Sequence, residues 1–267
     1  MSSAKHPALR PVKSPTTTLR AITAMVIREM VTTYGRSPGG YVWAVLEPAA
    51  GIALLTLIFS TGFRTPPLGT NFALFYASGM LPFLMYSELT NKLGQTIQFS
   101  RALLNYPRVT FIDALAARFL LNTMTLLLVH CAVLGFIIFV QDPNTSFDFQ
   151  PIVISYLMVF SISIGFGTLN SFLTLAYPLW QTAWAIANRP MFLISSIFFT
   201  FESVPQPYSD YLWFNPLVHV VGVMRDGFYP FYHPTFISYI YPFALSAVAC
   251  ITGLFLLNRY HRDILNR

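Results

Sequence analysis

Four charged side chains lie within, or at the inner edges of, long apolar runs: Glu47, Glu88, Asp113 and Arg118. An ionisable group at membrane depth is costly to bury, which makes it a functional candidate by default. Glu88 and Lys92 stand at i and i+4, the spacing of a pair on one helix face. The four charges have two readings. They form ion pairs within a helix bundle, or they line a polar entrance that meets a charged headgroup, with Arg118 the best fit to a phosphate or carboxylate. No catalytic constellation accompanies them. The chain lacks the G-x-x-x-x-G-K-[ST] loop that cradles a nucleotide's phosphates, so no ATPase is expected on it. It has no H-E-x-x-H and no C-x-x-C, and its two cysteines, Cys131 and Cys250, have no partners at ligand spacing, so no metal site is expected. His130 falls alone in an apolar run and reads first as a packing residue. Asp226, His219 and His233 are the only grouping that would serve a membrane transferase.

These residues sit in a chain with very little charge. Of 267 residues, 16 are basic and 10 acidic, so charged residues make up 10%, against about 25% in a soluble domain. Hydrophobic residues make up 55%. That balance excludes a soluble enzyme, a disordered chain and, despite the net charge of +6, a nucleic-acid-binding module. The class is an all-α polytopic membrane protein. A crossing helix needs about 20 largely apolar residues. Apolar runs between charges and prolines predict six spans, at about 41–63, 72–90, 111–140, 152–176, 188–203 and 236–258. With both termini inside, 14 of the 16 basic residues fall on the inner side and only Arg64 and Arg225 outside, as the positive-inside rule requires. The first apolar run starts at residue 41, behind a basic tail containing Pro and Thr, which is unlike a signal peptide.

The remaining segments have to turn or anchor these spans. Residues 1–18 and 259–267 read as cytoplasmic tails. Residues 19–36 read as an interfacial helix with Leu19, Ile22, Val26 and Met30 on one face. Ser37, Pro38 and Gly39 then give the sharp turn into the first span. Two inner loops carry Gln98, Phe99, Arg101, Leu104 and Tyr106, and Trp180 and Trp184. They read as interfacial anchors or as docking elements for a cytosolic partner. The outer segment 204–235 is rich in proline and aromatics, too apolar for a solvated loop and too broken for one helix, so short helices dipping back into the outer leaflet are expected. The 25 phenylalanines, 14 tyrosines and four tryptophans belong first to the two interfacial belts. A surplus within spans would line a sugar conduit, and Tyr41, Trp43, Phe59 and Phe63 on the first span are the set for that role.

The run Ser37-Pro38-Gly39-Gly40-Tyr41-Val42-Trp43-Ala44-Val45-Leu46-Glu47-Pro48, the late Trp213-Phe214-Asn215-Pro216-Leu217-Val218-His219, and then Arg225 resemble the permease subunit of bacterial ABC exporters of polysaccharide, most closely those of capsular polysaccharide. The resemblance runs from about Leu19 to Arg267. It makes Ser37, Pro38, Gly39, Asn215, Pro216, His219 and Arg225 structural motif residues. It implies a half-transporter that pairs with itself, with two separate ATPase chains docked beneath that bind ATP and Mg. It makes the inner loops the coupling elements and the broken outer segment a pair of re-entrant helices. It implies as cargo an acidic polysaccharide on a lipid anchor, threaded between the two copies, and as partners a periplasmic co-polymerase and outer-membrane export proteins. Export of O-antigen, teichoic acid or a small lipid shares the architecture. A membrane glycosyl or acyl transferase is the remote alternative.

Overall fold

The computed structural model describes residues 15–34, 40–104, 109–141 and 147–265. Eleven α-helices occur among them, and no strand. These are α1 (Pro15–Tyr34), α2 (Gly40–Gly62), α3 (Phe72–Gly94), α4 (Thr96–Phe99), α5 (Arg101–Leu104), α6 (Phe111–Gln141), α7 (Phe149–Ala176), α8 (Trp180–Ile194), α9 (Tyr208–Trp213), α10 (Pro216–Phe228) and α11 (Ile240–Leu265), with a 3-10 turn at Phe201–Ser203. Side-chain caps set several starts: Asn71 accepts from Leu74 N, Asp148 from Gln150 N and Asn215 from Leu217 N, the last with Pro216 at the first helical position.

Four helices are long and apolar enough to cross a membrane: Val42–Gly62, Phe111–Val140, Phe149–Ala176 and Ile240–Tyr260. The all-helical membrane class therefore holds at that level. The packing centre is α7, which lies against α11, α3 and α10. Of the long helices, α3 is the most enclosed, buried on most of its faces from Ala73 to Gly94. By contrast, α2 meets the bundle through Ile52 and Pro48 and leaves Val42, Leu46, Leu54, Leu57 and Ile58 exposed.

Several segments differ from the sequence expectation. The helix expected over 188–203 starts earlier, at Trp180, and stops at Ile194. It stops because its next carbonyls have other partners. Asn215 Nδ2 donates to Ile194 O (3.2 Å) and Ser195 Oγ (3.1 Å). Arg225 donates from one guanidinium nitrogen to Ile197 O (2.9 Å) and from another to Phe199 O (2.8 Å). The stretch between Asn91 and Thr110 carries two single turns, α4 and α5, with α3 extended to Gly94. The last helix begins at Ile240, not 236. On α1 the buried face runs through Met25 and Glu29, with Ile22 and Val26 half-buried, against Ala114 and Ala117 of α6. Leu19 and Met30, expected on the same face as Ile22 and Val26, are exposed with Ile27 and Val31.

The crossing of α7 and α11 depends on two glycines. A Cβ on Gly165 would lie 2.5 Å from Ser246 O, and one on Gly253 would lie 2.6 Å from Leu169 N. Small residues let helix backbones approach where lipid supplies no hydrophobic drive. We expect Gly165→Val or Gly253→Val to lower the stability of the purified protein by about 2–3 kcal/mol. Gly62→Ala and Gly135→Ala, where an added Cβ meets nothing within 4 Å, should leave its melting temperature nearly unchanged.

Candidate transport cavity and its charged supports

A cavity of about 370 Å³ opens between α2, α3 and α6. Each wall follows helical spacing. Trp43 and Glu47 come from α2, Glu88 and Lys92 from α3, and Asn122 and His130 from α6, with an apolar lining of Ala44, Pro48, Leu84, Leu126 and Val129. The structure thus brings together three of the sequence candidates, Trp43, Glu47 and Glu88. It adds Lys92, Asn122 and His130. His130 is buried, and its Nδ1 lies 3.2 Å from the Tyr156 hydroxyl. Trp43 is 64% exposed, which leaves it accessible to a ligand. Two carboxylates, an ammonium and an indole at one mouth suit a polyhydroxylated ligand. The carboxylates accept from hydroxyls, and the ring presents an apolar face to sugar CH groups.

The rest of the α2 aromatic set lies elsewhere. Phe59 is about 18 Å along the helix from Glu47, at about 1.5 Å per residue. It stacks with Phe63 at 5.9 Å and tilts against Tyr76 at 5.3 Å and Phe198 at 6.0 Å. Tyr41 is the second residue of α2, but its side chain lies outside the described residues, as do Ser37, Pro38, Gly39 and Tyr106.

Arg118 is not at the cavity. Its Nε lies 3.0 Å from Glu29 Oε1 of α1, and the two side chains are 6% and 8% exposed. The guanidinium also lies over the ring of Phe99, 4.3 Å from its centroid, and Arg28 approaches the same ring at 5.6 Å. The single turn α4 is thereby tied to α6 and α1 together. Glu29 escapes the sequence reading because it lies on a polar-looking helix outside every apolar run. Its signal is a lone acid one turn from Met25 on the face that packs. Asp113 has a local role: its Oδ2 accepts from Thr110 N (2.9 Å) and Thr110 Oγ1 (2.6 Å), fixing the start of α6.

The other inner candidates divide between surface and interior. Gln98 Nε2 donates to Thr174 O at 3.4 Å, Leu104 packs on a small inner cluster, and Phe99 and Arg101 are exposed. Trp180 Nε1 donates to Asn170 Oδ1 (3.0 Å), and Trp184 stacks against Phe166 at 6.2 Å. Both tryptophans therefore hold α8 to α7.

On the segment 204–235, His219 is buried between backbone groups. Ser238 N donates to its Nδ1 (3.2 Å), so Nε2 carries the proton and donates to Trp213 O (2.9 Å). Arg225 lies over the Phe75 ring at 4.1 Å. Tyr232 donates to Glu202 at 3.1 Å, and burial, with the Glu202 carboxylate beside it, pushes the phenol up, so it stays a donor. Asp226 pairs with His233 at 3.2 Å. With His219 committed to backbone groups, the trio that a transferase would need is not assembled.

The family model for the ABC-2 type transporter matches residues 20–229. The chain is 30% identical over 233 residues to the polysialic acid transport protein KpsM of Escherichia coli, spanning 87% of this chain and 90% of that one. It is 22% identical over 246 residues to the capsule polysaccharide export inner-membrane protein CtrC of Neisseria meningitidis, spanning 92% of each. It is 22% identical over 212 residues to the capsule polysaccharide export inner-membrane protein BexB of Haemophilus influenzae, spanning 79% of each.

The buried pair is open to a charge-reversal test. Glu29→Gln strands the Arg118 guanidinium, at a cost of about 3 kcal/mol or more, read as a lower melting temperature. Arg118→Glu should do the same. The double variant Glu29→Arg with Arg118→Glu should recover much of the loss.

Proposed function

The chain belongs to the ABC-2 type transporter family, and we propose that its cargo is a lipid-linked, acidic capsular polysaccharide carried outward across the inner membrane. It is a membrane permease of that class. The observation that carries the cargo assignment is the likeness, over 87% of the chain, to a protein named for polysialic acid transport. The cavity chemistry supports a glycan, since the exposed Trp43 beside Glu47 and Glu88 suits sugar hydroxyls and CH faces; the acidity of the cargo rests on the likeness alone.

The assembly follows from what the chain lacks and what it leaves uncovered. Without a phosphate-cradling loop, energy comes from a separate ATPase, two copies of which bind ATP and Mg beneath a dimer of this chain. The uncovered side of α2, with Val42, Leu46, Leu54, Leu57 and Ile58 on it, meets the second copy. The glycan passes between the two copies, because six helices are too few to enclose a wide polar path. Segments α2, α3, α6, α7, the α8 region and α11 act as the six spans, with both termini inside as the 14 inner basic residues favour. On this reading α9 and α10 form the outer re-entrant pair, and their broken backbone is sheltered by protein. Beyond the membrane, a periplasmic co-polymerase and outer-membrane export proteins receive the glycan. Inside, α4, α5 and the start of α8 take the ATPase stroke.

In a strain lacking its own capsule permease, this chain expressed with its ATPase should restore surface capsule. Restoration of O-antigen or teichoic acid in its place would overturn the cargo assignment. In the same system Phe99→Ala should leave ATP hydrolysis running and lower export about tenfold. Unchanged export would remove α4 from the coupling path.

A further inference from the structure

On the other flank of α3 a second cleft, of about 440 Å³, faces α8. Its walls run antiparallel and share one gradient. Phe83, Ser87 and Asn91 follow at i, i+4 and i+8 on α3, while Asn188, Arg189 and Phe192 come from α8. One end is aromatic, where the Phe83 and Phe192 rings meet edge to face at 5.2 Å. The other end is polar.

The polar end supplies donors and lacks a negative charge. The Arg189 guanidinium is exposed and makes no ion pair among the described residues. Asn188 Nδ2 is buried with no hydrogen-bond partner. No carboxylate lines the cleft, because Glu88, next to Ser87 in sequence, faces the other cavity. A buried, unpartnered donor beside an unpaired guanidinium calls for an anionic acceptor, and the planar fork of arginine matches a phosphate. The adjoining aromatic end offers an apolar chain a dry wall.

We propose that the α3–α8 cleft binds the phosphate of an anionic amphiphile, with Arg189 and Asn188 on the phosphate and the apolar chain along Phe83 and Phe192. Its position at the inner leaflet rests on the topology proposed above. A bilayer phospholipid and free phosphate share the headgroup chemistry, and the measurement separates them.

The test is binding of a fluorescent phosphatidylglycerol to the full-length chain in neutral detergent, with phosphatidylcholine and inorganic phosphate as competitors. Arg189→Gln and Asn188→Leu should each weaken binding about tenfold or more. Arg20→Gln, which removes an exposed charge from α1, should leave it unchanged. Arg189→Lys keeps the charge without the fork and should fall between. Phosphatidylcholine should compete poorly. Inorganic phosphate should compete only at far higher concentration than unlabelled phosphatidylglycerol, and competition at equal concentration would overturn the role of the apolar chain. Equal weakening by Arg20→Gln and Arg189→Gln, or none by either cleft variant, would overturn the site. The measurement needs neither nucleotide nor glycan, so it can fail while the export assignment stands. Export can likewise fail while binding holds.

Discussion

A guanidinium enclosed by protein has no water to turn to, and a helix that ends inside protein leaves carbonyls without donors. Arg225 and the chain after α8 resolve both needs at once. Two guanidinium nitrogens bond the carbonyls of Ile197 and Phe199, and the same group rests on the Phe75 ring. Neither half is stable alone, because the open stretch would carry unsatisfied carbonyls and the arginine an uncompensated charge. This contact brings α10 against α3 and ends α8 at Ile194. Asn215 reinforces it from the start of α10, capping its own helix with Oδ1 and holding Ile194 O with Nδ2. The Asn-Pro pair is thus a joint between two backbone breaks.

The same reasoning sorts the other charges. Glu29 with Arg118 and Asp113 with Thr110 are groups whose partners lie inside the protein. Their work is positional: the first pair fixes α1 on α6, the second the start of α6. Glu47 is exposed on the cavity-facing side of α2, and Glu88 is exposed opposite it on α3. Charges left open beside apolar helices are expensive to keep without a role, so on the proposed function the open carboxylates, and not the closed arginine, are the ligand-facing candidates. Sequence reasoning favours the arginine for the headgroup, since a count of charges within apolar runs does not say which has a partner.

Much of the fold was legible because hydropathy over about 20 residues is a one-dimensional property. The long segments from Val42, Phe111, Phe149 and Ile240 are evident from it. What escaped depends on distant partners. The end of α8 is set by Asn215 and Arg225, more than 20 residues away, and no local signal at Ser195 or Ser196 announces it. The face of α1 follows from Glu29 reaching Arg118, whereas apolar periodicity alone selected Leu19 and Met30, which stay exposed. For the site, Trp43, Glu47 and Glu88 were legible as rare residue types in apolar context. Lys92 reads only as the partner of Glu88 and His130 only as packing, because α2 and α6 close on α3 by tertiary contact.

The position of α3 gives these parts a mechanical order. It is the shared wall of two unlike clefts, with Glu88 and Lys92 on one flank and Ser87 and Asn91 on the other. Its end runs directly into α4, since Gln95 N bonds Asn91 O at the close of one helix and Phe99 N bonds Gln95 O within the next turn. Phe99 then meets Arg118, and through it Glu29. Any displacement of α4 would therefore reach α3 through the backbone, and α6 and α1 through a ring and a guanidinium. Because α3 is enclosed on most faces by close-packed neighbours, it transmits strain along its axis more readily than it bends. Such a displacement moves the walls of both clefts in step, and α2, the least embedded of the long helices, is the wall freest to yield.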